Sequence, residues 1–234
     1  TFHNIFLKFW IINLFKNILQ LYNMAIKKLV EVWDGKNLIE KNVAFLKQNT
    51  KEVYLPMSSI DKKILDDLLD TYKKIPCAGI AANQIGYDKR IFIGMKEDEP
   101  DTEEQYKELR KGEIKKELSN PNADNYEFYI NPQIDQTYKK SIQEEEEGCL
   151  SIPEIRLIAE RYDKIKVRYY DINGKKIQKT LKGFLSRLFQ HELDHLNGLL
   201  MVENSKIKEV YRISDNENVI KLYSNLIYQL QNFN

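Results

Sequence analysis

Cysteine and histidine are scarce in this sequence, with two and three residues respectively among 234. Two cysteines can form at most one disulfide, which is too few to stabilise a chain of this length and excludes a disulfide scaffold. The low cysteine content is also compatible with a reducing compartment. The net charge of +1 excludes a strong overall attraction to nucleic acid or to anionic membranes. No uninterrupted apolar run is long enough to span a bilayer. We therefore expect no transmembrane segment and no specific nucleic-acid partner.

The composition divides the chain into an N-terminal extension and one domain. Residues 1–25 are rich in Phe, Ile and Leu, interrupted by polar residues, and we interpret them as the remnant of an organelle-targeting leader. An amphipathic arm and sequence added for expression are the two alternatives. Residues 26–234 suffice for one catalytic domain with its own core. Within it, the highly charged segment 97–125 is predicted to be a surface insertion.

The pattern His-Glu-x-x-His stands at residues 191–195. Residues four apart share a helix face, so His191 and His195 can bind one metal ion, and Glu192 can reach water beside it. The apolar stripe before the motif predicts that it is helical. Two surface histidines on an amphipathic helix would give the same pattern. A metal site needs a third ligand, for which the thiol candidates are Cys77 and Cys149.

Short apolar and alternating stretches predict several strands, most of which precede the motif helix. The predicted strands are residues 29–32, 90–94, 127–130, 138–147, 155–158, 164–169 and 176–180. A capping-box pattern from Ser58 to Asp61, with Pro76 as the stop, predicts an early helix. A last helix is predicted over 206–231, interrupted near 214–216. This order predicts an α+β fold, with mainly antiparallel sheets packed around a central metal-binding helix.

Three stretches together resemble the signature motifs of the peptide deformylase family, namely residues 77–84, 147–151 and 190–195. The second and third, Glu-Gly-Cys-Leu-Ser and Gln-His-Glu-Leu-Asp-His, match the family pattern at every position. The first departs once, because Cys77 stands where the family usually has glycine. The resemblance covers about residues 29–203 without the insertion. It implies a hydrolase that removes the N-formyl group from nascent polypeptides beginning with formyl-methionine.

The resemblance also implies a metal cofactor. It assigns Cys149, His191 and His195 as ligands of one divalent ion, and three protein ligands leave a position for water. The family implies Fe2+ as the physiological ion. Zn2+ suits the same ligands, and Co2+ or Ni2+ would be substitutes.

Catalytic and substrate-binding roles follow from the same resemblance. Glu192 would exchange protons with the water and the leaving amine. The Gln84 amide and the Leu150 backbone N–H would stabilise the charge that develops on the formyl oxygen. Arg187 stands where the family commonly has an apolar pocket residue. The substrate would be held by Gly79, Ala78, Arg156, Phe184 and Leu188, and Asp194 with Arg161 would support the metal-binding His195.

Two other classes of protein share part of this pattern. A zinc metallopeptidase also has His-Glu-x-x-His, but it usually takes a downstream His or Glu as third ligand. This chain has no His downstream of the motif, although Glu203 and Glu209 follow it. A domain with a structural zinc would need a fourth protein ligand, for which only Cys77 remains outside the extension.

Location and partners follow from the implied reaction. Formyl-methionine starts are made in bacteria and in organelles of bacterial descent. Together with residues 1–25, this predicts a plastid or a similar organelle, with a bacterial cytoplasm as the alternative. The expected partners are N-formylmethionyl nascent polypeptides, met near the ribosome.

Overall fold

The structure, a computed structural model, describes residues 26–98, 119–203, 207–212 and 217–233. Within these ranges it contains two antiparallel sheets and four α-helices, which confirms the predicted α+β class. The helices are α1 (Glu40–Leu46), α2 (Ser59–Lys74), α3 (Gly183–Leu196) and α4 (Glu217–Gln231). The strands are β1 (Gly79–Ala81), β2 (Ile91–Gly94), β3 (Glu127–Thr137), β4 (Ile142–Cys149), β5 (Ile152–Tyr162), β6 (Lys164–Tyr170), β7 (Lys176–Lys182) and β8 (Ile207–Arg212).

The larger sheet has five strands in the order β1-β2-β3-β6-β7, and α2 and α3 pack on opposite faces of it. On the α3 face, the Phe189 ring meets Phe92 and Tyr129 edge-on, with centroids 5.4 and 5.6 Å apart. On the other face, the buried core is formed by Ile64, Leu68, Ile80, Ile93 and Ile130. The helix that carries the motif is therefore anchored to the sheet by aromatic and aliphatic packing.

The smaller sheet has three strands in the order β4-β5-β8. Its core includes residues of α1 and α4, such as Val43, Leu46, Leu226 and Leu230, packed with Leu157 on β5. Cys149, at the end of β4, belongs to the same cluster. The position of β4, and with it that of Cys149, is therefore fixed by the hydrophobic core of the smaller sheet.

Two local predictions are confirmed by hydrogen bonds. At the start of α2, Ser58 Oγ accepts from Asp61 N at 3.2 Å, and the Asp61 carboxylate accepts from Ser58 N at 3.1 Å. This capping box satisfies backbone N–H groups that the first turn leaves unpaired. In the β6–β7 hairpin, Asp171 Oδ1 accepts from the N–H groups of Asn173 and Lys175 at 2.9 and 2.8 Å.

Two predicted elements are wrong. Residues 29–32 do not form a strand, because Val30 N donates to Gln84 O in a 3-10 turn and Val32 N donates to Ser151 O in the β4–β5 turn, which are single bonds to different segments. The first part of the predicted last helix is the strand β8, because residues 207–212 pair with residues 155–159 of β5. The N-terminal extension, residues 1–25, and residues 99–118 of the predicted insertion lie outside the described residues.

The end of the predicted insertion is buried. Asn120 is 2% exposed, and its Nδ2 donates to Tyr72 O at 2.8 Å and to Cys77 O at 3.0 Å. Asn125 Nδ2 donates to Glu97 O at 2.8 Å, which joins the two ends of the segment. The described end of the segment therefore supports the loop around Cys77. Among the described helices, none is both long and apolar enough to cross a bilayer.

Candidate metal centre

Helix α3 brings the two histidines of the motif together. His191 and His195 lie one turn apart, with ring centroids 5.1 Å apart. Phe189, Leu193 and Leu196 are buried against the five-stranded sheet. Because these neighbours fix the rotation of the helix, the two imidazoles are held on one side of it.

Cys149 supplies the third ligand of the candidate site. Its Sγ lies 3.2 Å from His195 Nε2, and the ligand atoms of Cys149, His191 and His195 all lie within 4.8 Å of one another. A tetrahedral ion bonded to sulfur and nitrogen holds such atoms about 3.3–3.6 Å apart, so small side-chain movements would seat one ion. Of the two thiols that the sequence offers, the described structure places Cys149 in this cluster and Cys77 outside it.

The charges of the cluster suit a metal. Burial opposes ionisation of the Cys149 thiol, but His195 and His191 outweigh it and hold its pKa well below the usual range. Burial would lower the pKa of His191, but hydrogen bonds with Cys149 and Glu147 raise it well above the usual range. Without a metal ion, these shifts favour the thiolate form of Cys149 and the protonated form of His191. A cation can replace the proton of the imidazolium and keep the thiolate neutralised.

A regular series of contacts joins β4 to α3. Gln143 Nε2 donates to Gly183 O at 2.9 Å, Arg187 Nη1 lies 3.9 Å from Glu145 Oε2, and His191 Nδ1 lies 3.0 Å from Glu147 Oε2. Two residues of a strand span about 6.6–6.8 Å and four residues of a helix span about 6.0 Å. The two repeats match closely, so alternate residues of β4 meet every fourth residue of α3, up to the metal ligands.

Glu147 is a residue that the motif analysis leaves without a role. Its carboxylate binds Arg161 through two bonds of 2.7 and 2.9 Å, and it also bonds His191. Burial would raise the pKa of Glu147, but the hydrogen bonds from His191 and Arg161 lower it to about 2. The signal available in the sequence is its position two residues before Cys149, which places both side chains on the same strand face.

Arg161 lies between the carboxylates of Asp194 and Glu147. Its Nη1 donates to Asp194 Oδ2 at 2.5 Å, while its other nitrogens bind Glu147. The guanidinium is 6% exposed, and the two carboxylates raise its pKa above the usual range against the effect of burial. One arginine thus ties β5 to the neighbours of both metal-binding histidines. Asn83 adds a further tie, because its Nδ2 donates to His195 O at 2.6 Å.

Glu192 lies against β1 at the position of Gly79. A Cβ built on Gly79 would lie 2.8 Å from Glu192 Oε1 and 2.9 Å from Leu188 Cδ1, so a larger residue here would require both side chains to move. Glu192 is 3% exposed, and burial, partly offset by His191 and His195, raises its pKa to about 7. Its Oε2 has no hydrogen-bond partner among the described residues. A buried carboxyl poised near neutral pH, with one oxygen available, can take up and return a proton.

Gln84 presents its amide to the same site. Its Oε1 accepts from Ala81 N at 2.9 Å, which fixes the orientation of the amide. The opposite end, Nε2, lies 3.7 Å from Cys149 Sγ and donates to Ser151 Oγ at 3.3 Å. Leu150 and Ser151 form the turn between β4 and β5. Ser151 is fully buried and is a second residue that the motif analysis leaves without a role.

The remaining predicted residues surround these groups. Leu188 contacts Gly79, and Ala78 O accepts from Met95 N at 2.9 Å. The Phe184 ring lies on the first turn of α3, 5.2 Å from the Arg187 guanidinium. Thus Leu188 is brought to the metal centre, whereas Phe184 lies farther along the helix.

Arg156 lies across the strand β4. A Cβ built on Gly148 would lie 1.3 Å from Arg156 Nη1, so the guanidinium covers the glycine next to Cys149. Its Nε bonds Glu146 Oε1 at 3.2 Å. The downstream Glu203 that a metallopeptidase would need bonds Lys47 at 2.8 Å instead. The third ligand of the cluster is therefore a thiol from upstream.

A Cys/His/His cluster beside a buried carboxyl, one oxygen of which has no hydrogen-bond partner among the described residues, is typical of a metal-binding hydrolase site. Residues 36–211 match the sequence profile of the family described as polypeptide deformylase. A curated peptide deformylase from Novosphingobium aromaticivorans is 31% identical over 191 residues, which cover 79% of this chain and 92% of that protein. The chain belongs to the peptide deformylase family.

Solved structures of the same family agree with the fold. A crystal structure of peptide deformylase from Plasmodium falciparum has a TM-score of 0.59 and 28% identity, covering 87% of this chain and 94% of that one. The Met-Ala-Ser-bound structure of the class I type b enzyme from Acinetobacter baumannii has a TM-score of 0.55 and 30% identity, covering 68% and 91%. Members of the family are metal-dependent hydrolases that remove the formyl group from N-formylmethionine peptides.

Proposed function

We propose that this chain deformylates N-formylmethionyl polypeptides through Glu192 and the Cys149, His191 and His195 cluster. The observation that carries the proposal is the position of Glu192. Its buried carboxyl has a pKa of about 7, lies on the same helix as both histidines, and keeps one oxygen free of partners among the described residues. This is the arrangement that proton transfer at a metal site requires.

When bound, the metal ion supplies Lewis-acid chemistry, polarising the formyl carbonyl and lowering the pKa of water. Glu192 accepts the proton of the attacking water and passes it to the amine that leaves. Gln84 Nε2, oriented by Ala81, donates to the formyl oxygen as negative charge develops there, and the Leu150 N–H is the second donor. Both donors are fixed before substrate arrives, so little reorganisation is needed in the transition state.

The substrate pocket is proposed beside Gly79, formed by Ala78, Leu188 and Phe184. The Met-Ala-Ser peptide bound by the Acinetobacter baumannii enzyme supports an N-terminal methionine as its occupant. A thioether side chain is flexible enough to fill an uneven apolar pocket. Arg156, which lies over Gly148, is proposed to contact the backbone of the peptide that follows the methionine.

We propose Fe2+ as the ion in the cell, with Zn2+ as an ion that also binds and Co2+ or Ni2+ as substitutes. The support for Fe2+ is the family resemblance alone, because thiolate and imidazole suit several of these ions and a three-ligand site leaves a position open. Elemental analysis of protein purified without oxygen would test this assignment.

We also propose that the chain acts in a plastid or another organelle of bacterial descent, on polypeptides emerging from ribosomes. The support is the apolar N-terminal segment, together with the restriction of formyl-methionine starts to bacteria and such organelles. Imaging of the full-length protein fused to a fluorescent protein, with and without residues 1–25, would test the location. A diffuse cytosolic signal from both proteins would contradict it.

The deciding experiment measures formate release from formyl-Met-Ala-Ser. Acetyl-Met-Ala-Ser is the matched control, because the acetyl methyl group would have to occupy the space between Glu192 and the narrow floor at Gly79. A loss of about 2.7 kcal/mol of transition-state stabilisation corresponds to a hundredfold lower rate. We expect release of formate and a hundredfold or greater preference for the formyl peptide. Cleavage of internal peptide bonds without formate release would favour a metallopeptidase instead.

A further inference from the structure

The outer part of the five-stranded sheet has a strongly basic face. In β6 and β7, one set of alternate residues packs toward α3, including Ile165, Val167 and Leu181. The other set points away from α3, and the pairing places Lys164 opposite Lys182 and Tyr170 opposite Lys176. The residues on this basic face are Lys164, Lys166, Arg168, Tyr170, Lys176, Gln178, Thr180 and Lys182.

The basic face is the uncovered half of a sheet face whose other half is packed. Ile130 on β3 pairs with Tyr170, so both lie on the face that α2 covers over β1 and β2. Lys166, Lys176 and Lys182 are exposed. Among the described residues, the α2 core cluster reaches the basic face only at Tyr170, which packs against it.

The net charge of the chain is only +1, but its basic and acidic residues are concentrated on different sheets. The hairpin of residues 164–182 contains seven Lys and Arg residues and one acidic residue, Asp171, whereas four consecutive glutamates stand at 144–147 on the other sheet. The other acids near the basic face are Asp135, which bonds Arg168 Nη1 at 3.0 Å, Asp163 and the exposed Glu52. Lys139 and Lys140 in the turn before β4 are also exposed. The positive charge thus clearly exceeds the negative charge here.

A groove adjoins the basic face. It has a volume of about 530 Å³, and its lining includes Tyr54, Tyr170, Arg168 and Lys176. Tyr54 is 85% exposed. The segment that carries Tyr54 is fixed in place, because Asn131 Oδ1 accepts from Val53 N and Asn131 Nδ2 donates to Val53 O, both at 2.8 Å. The groove is therefore preformed, with aromatic rings and cations side by side.

We propose that the basic face and its groove bind RNA through phosphate contacts and base stacking, without reading sequence. A strand of seven residues spans about 23 Å, so the row of cations can meet several phosphates in succession. An exposed tyrosine ring is a platform on which any base can stack. A lipid surface would also be attracted to the lysines, but a flat membrane would leave the concave polar groove unfilled. This inference does not depend on the proposed catalytic function.

The proposal is tested by measuring the affinity of the protein for a fluorescein-labelled single-stranded RNA of 20 nucleotides. Fluorescence anisotropy gives this affinity at several salt concentrations. In the test variant, Gln replaces Lys164, Lys166, Lys176 and Lys182. In the matched control, Gln replaces four exposed lysines outside the basic face, namely Lys36, Lys41, Lys62 and Lys74. We expect the test variant to bind at least tenfold more weakly. The slope of log K against log salt should fall by about 0.7 for each phosphate that the variant no longer neutralises. The control variant should keep both the affinity and the slope.

Tyr54→Ala separates stacking from charge. We expect about fivefold or greater loss of RNA affinity with an unchanged salt slope, because a stacked ring carries no charge. All variants should keep the wild-type far-UV circular dichroism spectrum, which shows that they are folded. Equal weakening in both quadruple variants, or no effect of Tyr54→Ala, would overturn the proposal. Tighter binding to phosphatidylserine vesicles than to RNA would also overturn it.

Discussion

His191 Nδ1 and Glu147 Oε2 lie 3.0 Å apart, which leaves Nε2 as the nitrogen of His191 available to a metal ion. A hydrogen-bonded carboxylate orients a ligating imidazole and increases its basicity. Glu147 is itself held by Arg161 through two bonds. The ligand geometry therefore depends on a residue that contacts no metal.

We expect Glu147→Gln to weaken metal binding by about 10- to 100-fold, because the amide keeps the size of the side chain but removes its charge. Competition with a chelator measures the affinity. Glu144→Gln on the same strand is the control, since Glu144 bonds Lys208 on the surface and should leave the affinity unchanged. Equal affinities for Glu147→Gln and wild type would show that the carboxylate does not support the metal.

The two cysteines allow a proposed metal ligand, Cys149, to be compared with a buried cysteine outside the cluster, Cys77. Cys149→Ala should abolish stoichiometric metal binding, and so should His191→Ala or His195→Ala, because the cluster would then retain two protein ligands. Cys77→Ala should keep the metal, since Cys77 is buried outside the cluster. Elemental analysis of each purified variant measures the outcome. One metal per chain in Cys149→Ala would contradict the ligand assignment.

Glu192→Gln should separate binding from catalysis. Because Glu192 is not in the ligand cluster, the metal content should remain at the wild-type level. The rate of formate release should fall by at least about 10²- to 10⁴-fold, the range for losing a general acid–base group. Single-turnover kinetics on metal-loaded protein provides the measurement. Near-normal turnover would place the proton transfer on another residue.

Gly79→Ala tests the close approach of β1 to α3. The new Cβ would lie 2.8 Å from Glu192 Oε1, so it should displace the carboxyl and cost about 1–3 kcal/mol in stability. Formate release should fall more than stability alone explains. Gly94→Ala is the control, because its Cβ would meet Leu188 Cδ2 at an ordinary 3.4 Å. Similar kinetics for the two variants, measured beside urea unfolding, would refute the steric argument.

The pKa of Glu147 predicts a pH-dependent stability of the metal-free protein. The pKa of Glu147 is about 2 in the folded protein and 4.5 in an unperturbed carboxyl. The folded state therefore stabilises the ionised carboxylate. The contribution is on the order of 3 kcal/mol, fully present above about pH 4.5 and lost as the pH falls toward 2. Urea unfolding should therefore show a larger difference between wild type and Glu147→Gln at pH 6 than at pH 3. A difference that does not change with pH would contradict this.

The sequence predicts those parts of the site that depend on local spacing. Four residues separate His191 from His195, and a helix converts that spacing into proximity. The capping box at Ser58 is local in the same way. The spacing of Glu147 and Cys149 is visible in the sequence, but the partners of Glu147 are not, because they lie 14 and 44 residues away along the chain.

The elements that sequence patterns misassign depend on distant partners. Residues 207–212 have apolar spacing that fits a helix, but the free edge of β5 offers a ladder of backbone bonds and a strand forms. Asn120 looks like part of a polar surface segment, yet its amide satisfies the carbonyls of Tyr72 and Cys77 in the interior. In both cases tertiary contacts decide the outcome, and local preference does not.

The matched repeats of β4 and α3 restrict how this region can change in length. One residue inserted between Gln143 and Glu147 would turn the preceding side chains to the opposite face of the strand, away from Gly183 and Arg187. One residue added to α3 would rotate its earlier turns by about 100° relative to the histidines. A substitution would remove a single contact, but an insertion or deletion in either element would break the whole series of contacts between β4 and α3. We therefore expect these two segments to accept changes of residue far more readily than changes of length.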